Sequence, residues 1–200
     1  MDGNGSAVPL AKSKLEILNV GGKFGHGAET RFYPGHNITT IDLVTGWDVM
    51  KKGLPAYNSY PNIAQWDVVL MNNFIEHVPN PDYVMDECRR VMGRETILDI
   101  TTPNMASWFN RILLLFGFMP HCCEVSERGN YGKLVKTELA GHFRCFTHGA
   151  LKEFLEAHGF QIIERTKEPW LVNPVFGLFD SFFSYFPSLE SHTRFLCQLK

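Results

Sequence analysis

Gly21, Gly22, Gly25 and Gly27 crowd the end of the apolar run in LEILNVGGKFGHGAETRF, residues 15–32, and Asp42 ends the β-branched run that follows. Between a strand and a helix, such glycines leave backbone N–H groups facing a ligand where side chains would clash. Asp42 lies 17 residues beyond Gly25. A carboxylate there can accept both hydroxyls of a ribose whose nucleoside lies along the glycine loop. The phosphate-cradling pattern Gly-x4-Gly-Lys-Ser/Thr is missing, because Lys23 precedes Gly25 rather than following it. The glycines also supply no Gly-x-Gly-x-x-Gly triplet in register. What remains is a site for a nucleoside without a pyrophosphate or, more simply, a tight turn followed by an acidic strand end.

Histidine and cysteine offer a second chemistry. His121-Cys122-Cys123 with His142, Cys145 and His148 invites a zinc reading, but His-x2-Cys-x2-His is not a usual zinc-knuckle pair, and no metal is expected. A cysteine nucleophile has no local support. The five cysteines are an odd number without framework spacing, and the opening MDGNGSAVPLAKSK lacks the apolar stretch of a signal peptide. Both features favour a reducing, cytoplasmic setting. Nineteen basic against 21 acidic residues, formal charge -2, give no reason to expect a nucleic-acid partner. The longest fully apolar run, ILLLFGFM, falls far short of the roughly 18–20 residues that span a bilayer, so no transmembrane segment is expected.

The elements that must position these residues alternate in type. LEILNV, NITTIDLV, WDVVLMN, TILDITTP, FQIIERTK and HTRFLCQLK read as strands, and AETRFY as a short helix closed by Pro34-Gly35. NPDYVMDECRRVMG is a helix capped by Asn80, with Pro81 in its first position, Gly93 as its stop, and Val84, Cys88 and Val91 on one face. Asp86 and Arg90 are spaced to pair across a turn. THGALKEFLEAHG is a second helix, capped by Thr147 and stopped by Gly159. Two hundred residues fit one domain, with residues 1–13 as a frayed lead-in. Strands alternating with helices imply an α/β fold whose parallel sheet binds ligands outside the carboxyl ends of its strands.

ILNVGGKFG, TTIDLV, WDVVLMNNFIEHVPNPDYVMDECRRVM and GHFRCFTHGALKEFLEAHGFQI together resemble a class I S-adenosylmethionine (SAM)-dependent methyltransferase. The likeness covers about residues 14–168, and Glu76-His77-Val78-Pro79-Asn80-Pro81, a Glu-His-Val-x-x-Pro element, is its most specific piece. It implies a Rossmann-like, mostly parallel seven-stranded sheet with a final antiparallel strand and helices on both faces. It further implies that Gly21, Gly22 and Gly25 approach the methionyl part of SAM, and that Asp42, beside Leu43, holds the ribose. Asn72, Asn73 and Phe74 would pass near the adenine and sulfonium. The family usually carries an acid where Asn19 stands and a glycine where Lys23 stands, so the contact to the cofactor's ammonium is weakened.

Methyl transfer from a sulfonium is an in-line displacement in which alignment counts most and a base can take the acceptor's proton. His77, which titrates near neutrality, is the first candidate base; Glu76 could orient it, and His142, in a matching Gly-His-x-Arg stretch, could face the acceptor. Each is also readable as an ordinary loop contact. The long insert of residues 104–141 reads as a lid or acceptor wall, with Trp108, Ile112, Leu115 and Phe116 on one helical face. Phe176, Phe179, Phe183 and Phe186 also fall near helical spacing. These apolar segments read as packing, as a funnel for a small-molecule or lipid-linked acceptor, or as a surface making at most a transient membrane contact. Two rival readings stay open: a SAM-binding module whose catalysis has decayed, and a partner-binding subunit. Oxygen is the expected methyl acceptor by analogy alone.

Overall fold

The structure is a computed structural model that describes residues 12–21, 32–41, 66–136, 138–169 and 173–200. The expected helix start after the glycine loop, most of the lead-in, Gly22, Lys23, Gly25, Asp42 and Leu43 lie outside the described residues. The strands are β1 (Glu16–Val20), β2 (Asn37–Ile41), β3 (Val68–Asn72), β4 (Ile97–Pro103), β5 (Phe160–Thr166) and β6 (His192–Leu199). The helices are α1 (Pro81–Val91), α2 (Trp108–Leu115), α3 (His148–Ala157) and α4 (Pro174–Phe183), with one 3-10 turn at Ile75–His77.

The strands form one sheet in the order β2-β1-β3-β4-β6-β5. Pairing is parallel from β2 through β4, while β6 runs antiparallel to both of its neighbours. This is the Rossmann-like arrangement, with six strands among the described residues where seven were expected. The order reverses at β1, so the crevice beyond the carboxyl ends of β1 and β3 is the topological switch point where such sheets bind ligands.

Alternation along the central strands sends side chains to two buried layers. Leu18, Val69, Met71, Leu98 and Ile100 face a layer closed by Val84, Met85, Cys88 and Val91 of α1 and by Leu151 and Leu155 of α3. Ile17, Val68, Leu70, Ile97 and Leu196 face the other, with Leu15 and Tyr33. In that second layer the Arg194 guanidinium donates to both oxygens of Asp99 at 2.9 and 2.7 Å, tying β6 to β4, and the Tyr33 hydroxyl donates to Asp99 Oδ2 at 2.8 Å.

The helix ends follow local chemistry. Asn80 Oδ1 accepts from the Tyr83 N–H at 3.2 Å with Pro81 in the first position, and Thr147 Oγ1 accepts from the Ala150 N–H at 3.1 Å. Gly159 turns the chain at φ +80° after α3. Gly93 is not the stop of α1. Buried Met92 turns extended at φ -94°, ψ 136° and closes the helix, and the Gly93 N–H donates to Thr96 Oγ1 instead. Arg90 reaches back to Glu87 at 2.9 Å.

Candidate active site

The chain leaves β1 through Gly21 at φ +80°, and leaves β3 through Asn73, a non-glycine residue at φ 50°. An added Cβ on Gly21 would lie 2.0 Å from Cδ2 of Phe74. The side chain excluded at Gly21 therefore makes room for an aromatic ring of the neighbouring loop. Asn73 tolerates the left-handed conformation better than most residues do, and its N–H donates to the Thr101 carbonyl at 2.9 Å, which fixes the loop against β4. Strain of this kind collects at functional sites.

At these strand ends three buried side-chain oxygens have no hydrogen-bond partner among the described residues: Asn19 Oδ1, Asn72 Oδ1 and Asn73 Oδ1. Asn19 is 1 % exposed and donates through Nδ2 to Thr40 Oγ1 at 3.4 Å, so its acceptor oxygen remains available where the family carries an acid. A buried amide oxygen left unmatched costs about 1–3 kcal/mol. An ammonium or hydroxyl donor arriving here would recover it, so these residues fit a cofactor bearing such groups.

Glu76 and His77 follow in the 3-10 turn. Glu76 is 2 % exposed; its Oε2 accepts from Thr102 Oγ1 at 2.9 Å, while Oε1 has no hydrogen-bond partner among the described residues. Burial pushes its carboxyl up to about 7 against the pull of the Thr102 bond. His77 Nδ1 lies 3.1 Å from the Gly141 carbonyl, and His142 Nδ1 lies 3.0 Å from the Cys122 carbonyl. A carbonyl oxygen only accepts, so each Nδ1 carries the hydrogen and each Nε2 presents a lone pair. Burial holds both imidazoles below their ordinary value, and in His142 the neighbouring His77 adds to the effect. The two rings are 4.7 Å apart, and His77 Nε2 is 3.9 Å from Glu76 Oε1.

Backbone pairing brings His142 here from 65 residues further along the chain. The N–H groups of Phe143 and Arg144 both donate to the Glu76 carbonyl, at 2.8 and 3.0 Å, and the Arg144 guanidinium donates to the Pro79 carbonyl. Glu124 gathers the N–H groups of Ala140, Gly141 and His142 at 2.7, 2.8 and 3.1 Å. Burial opposes its ionisation, yet those three bonds hold the Glu124 carboxyl below its ordinary value. Glu124 carries no sequence signature, because its work is done on backbone.

The cluster opens into a cavity of about 190 Å³ lined by Asn73, Glu76, Ser107, Phe109, Asn110 and His142, among others. Asn110 shapes this wall from within α2, donating to the Asn104 carbonyl at 3.1 Å and accepting from the His121 N–H at 2.8 Å. Of the residues of the zinc reading, His148 leaves to pair with Glu190 at 3.2 Å, while the thiols of Cys122, Cys123 and Cys145 hydrogen-bond among themselves, Cys123 Sγ lying 3.0 Å from Cys145 Sγ, and His142 turns its ring toward His77. The structure thus brings together Gly21, Asn72, Asn73, Phe74, Glu76, His77 and His142 of the sequence-predicted site.

Comparison with known proteins agrees with this geometry. The family model described as "Methyltransferase domain" matches residues 7–165. No curated protein matches the chain in sequence. Among solved structures, a SAM-dependent methyltransferase of Archaeoglobus fulgidus is similar with a TM-score of 0.55 at 16 % identity, covering 96 % of this chain and 89 % of that one. One of Methanosarcina mazei has a TM-score of 0.55 at 17 % identity, covering 100 % and 99 %. The 1,6-didemethyltoxoflavin-N1-methyltransferase of Burkholderia thailandensis, with bound S-adenosylhomocysteine, has a TM-score of 0.52 at 15 % identity, covering 94 % and 72 %. With a matching family model over most of its length, a Rossmann-like sheet and donor-seeking oxygens at the switch point, the chain belongs to the methyltransferase domain family and is a SAM-dependent methyltransferase.

Proposed function

We propose that the protein methylates an oxygen of a small-molecule or lipid-linked acceptor that enters beside the Glu76–His77–His142 cluster. The observation that carries this reading is the grouping of Glu76, His77 and His142, whose candidate proton-accepting atoms lie within 4.8 Å of one another and of which Glu76 and His142 line a cavity shared with Asn73. Bound SAM supplies an activated methyl on its sulfonium sulfur. Asn19 Oδ1 would accept from the cofactor's ammonium, and Asn72 and Asn73 would hold its nucleoside side. Gly22, Gly25, Asp42 and Leu43, which lie outside the described residues, would complete the cofactor site, the Asp42 carboxylate accepting from the ribose hydroxyls.

On the acceptor side, His77 Nε2 takes the proton of a hydroxyl as its oxygen attacks, and Glu76 steadies the imidazolium that results. His142 narrows the approach. The segment 104–141 forms the acceptor wall through Ser107, Phe109 and Asn110. A lipid-linked acceptor is supported by the apolar layer that continues from this wall: Phe109 meets Phe176 of α4 edge-on at 5.4 Å, and Leu115, Phe116, Leu178 and Phe182 are exposed beyond it. Among the described residues no helix is long and apolar enough to cross a membrane.

Calorimetric titration with SAM, S-adenosylhomocysteine and NAD tests the cofactor half. Micromolar binding of both adenosyl ligands, lost in Asp42→Ala and absent for NAD, is expected, and an acceptor screen follows from it. Absence of binding by either adenosyl ligand at millimolar concentration would sink the reading in favour of a decayed module.

A further inference from the structure

We propose that Glu76, His77 and His142 form a binding site for one divalent first-row cation. The three candidate donor atoms lie within 4.8 Å of one another, and this is the group of that kind found among the described residues. Nitrogen and oxygen donors held at about 2.0–2.2 Å from a cation lie roughly 3–4.4 Å apart, so a sub-ångström closure of the ring of donors suffices.

The hydrogen bonding around the cluster is what a metal centre requires. An imidazole that ligates through Nε2 needs its Nδ1–H tied to an oxygen, which fixes both tautomer and ring plane. Both histidines meet that condition through backbone carbonyls, of Gly141 and Cys122. The carboxylate is likewise anchored through one oxygen, to Thr102, leaving the other bare. A proton acceptor needs one lone pair. Here a candidate donor atom from each of three side chains lies within 4.8 Å of the others, and one of them, Glu76 Oε1, is buried with no hydrogen-bond partner among the described residues, where an unmatched oxygen is costly. A cation satisfies all three at once.

The donor set selects the ion. Two imidazoles beside one carboxylate favour a transition-metal ion, zinc and cobalt more strongly than manganese, over magnesium and calcium, which prefer oxygen throughout, and three protein ligands leave coordination positions open. Cation binding is a property of this cluster alone. What the ion would do rests on the methyltransferase reading: at the cavity wall it would lower the pKa of an acceptor hydroxyl, and His77, which is the base when the site holds no cation, would then serve as a ligand while the proton goes to water.

The test uses the full-length chain, stripped with chelator and titrated calorimetrically with Mn²⁺ and Zn²⁺ in the absence of SAM, with Mg²⁺ as comparison. One cation per chain with micromolar affinity is expected. Binding should weaken by about 100-fold or more in Glu76→Gln and by about 10-fold or more in His142→Asn, with SAM affinity unchanged in both. If Glu76→Gln does not fold, His142→Asn, on a loop, carries the test. Stoichiometric binding that neither variant weakens, or none at all, overturns the proposal. Cation binding without SAM binding would uphold the site and remove the methyl-transfer role, and SAM binding without cation binding would do the reverse.

Discussion

Glu76 holds its carboxyl in a place where water scarcely reaches, and the consequence is thermodynamic as well as chemical. Its pKa rises from 4.5 to about 7 on folding. The folded state therefore keeps a proton that the unfolded chain gives up, so the contribution to stability is full below 4.5 and is lost as pH rises through 7. The loss amounts to at most about 3 kcal/mol. In chelator, urea unfolding of the wild type should show stability falling between those limits, while Glu76→Gln, neutral at every pH, should remove that fall; an identical slope in both would place the titration elsewhere. At this scale the sequence was readable in part. Glu76-His77 stands out as a string, and His142 emerges through family resemblance. Their partners do not, because a carbonyl such as that of Gly141 has no residue type, and it meets His77 across 64 positions. The glycine reading was half complete: Gly21 does lack room for a side chain, but the nearest occupant of that room is Phe74.

Between elements, α2 and α4 meet through aromatic rings. The Trp108 ring of α2 stacks on Phe183 at 5.1 Å and 18°, lies against Phe176 at 5.1 Å and Phe179 at 6.1 Å, and donates through Nε1 to the buried Asp180 at 2.7 Å. Trp108→Ala removes these contacts and withdraws a donor from Asp180, and should lower stability by about 2–4 kcal/mol in chemical unfolding. Trp108→Phe should recover part of the packing and none of the hydrogen bond. Helical spacing of Phe176, Phe179 and Phe183 was legible in the sequence, as were the caps Asn80 and Thr147, since these depend on neighbours a few residues away. Phe186 shares the spacing but falls beyond α4, where Ser184 closes the helix. The sequence could not tell that this helix meets α2: its apolar residues point outward as well as inward, and periodicity cannot choose between a core and a surface patch.

For the molecule as a whole, Asp99 and Arg194 are the ionic pin. Both are buried, on adjacent interior strands, with Tyr33 completing the carboxylate's shell and Phe32 lying under the guanidinium at 4.1 Å. Arg194→Leu strands a buried carboxylate and should cost about 3–5 kcal/mol, whereas the double change with Asp99→Leu should be far milder, because breaking such a pair is worse than replacing it. Equal losses in the single and double variants, measured by unfolding, would show that the pair is not coupled. Alternating elements pointed to a parallel α/β sheet and the family resemblance to its final antiparallel strand, but this pin could not be read, for it joins residues 95 positions apart.

β6 comes last among the strands along the chain yet sits inside the sheet, between β4 and β5. On a ribosome, β4 and β5 emerge first and wait side by side with bare, unpaired flanks until the strand that separates them has been made. Nascent chains stalled before residue 192 should therefore lean on chaperones and aggregate when those are scarce, since open strand edges template pairing between molecules.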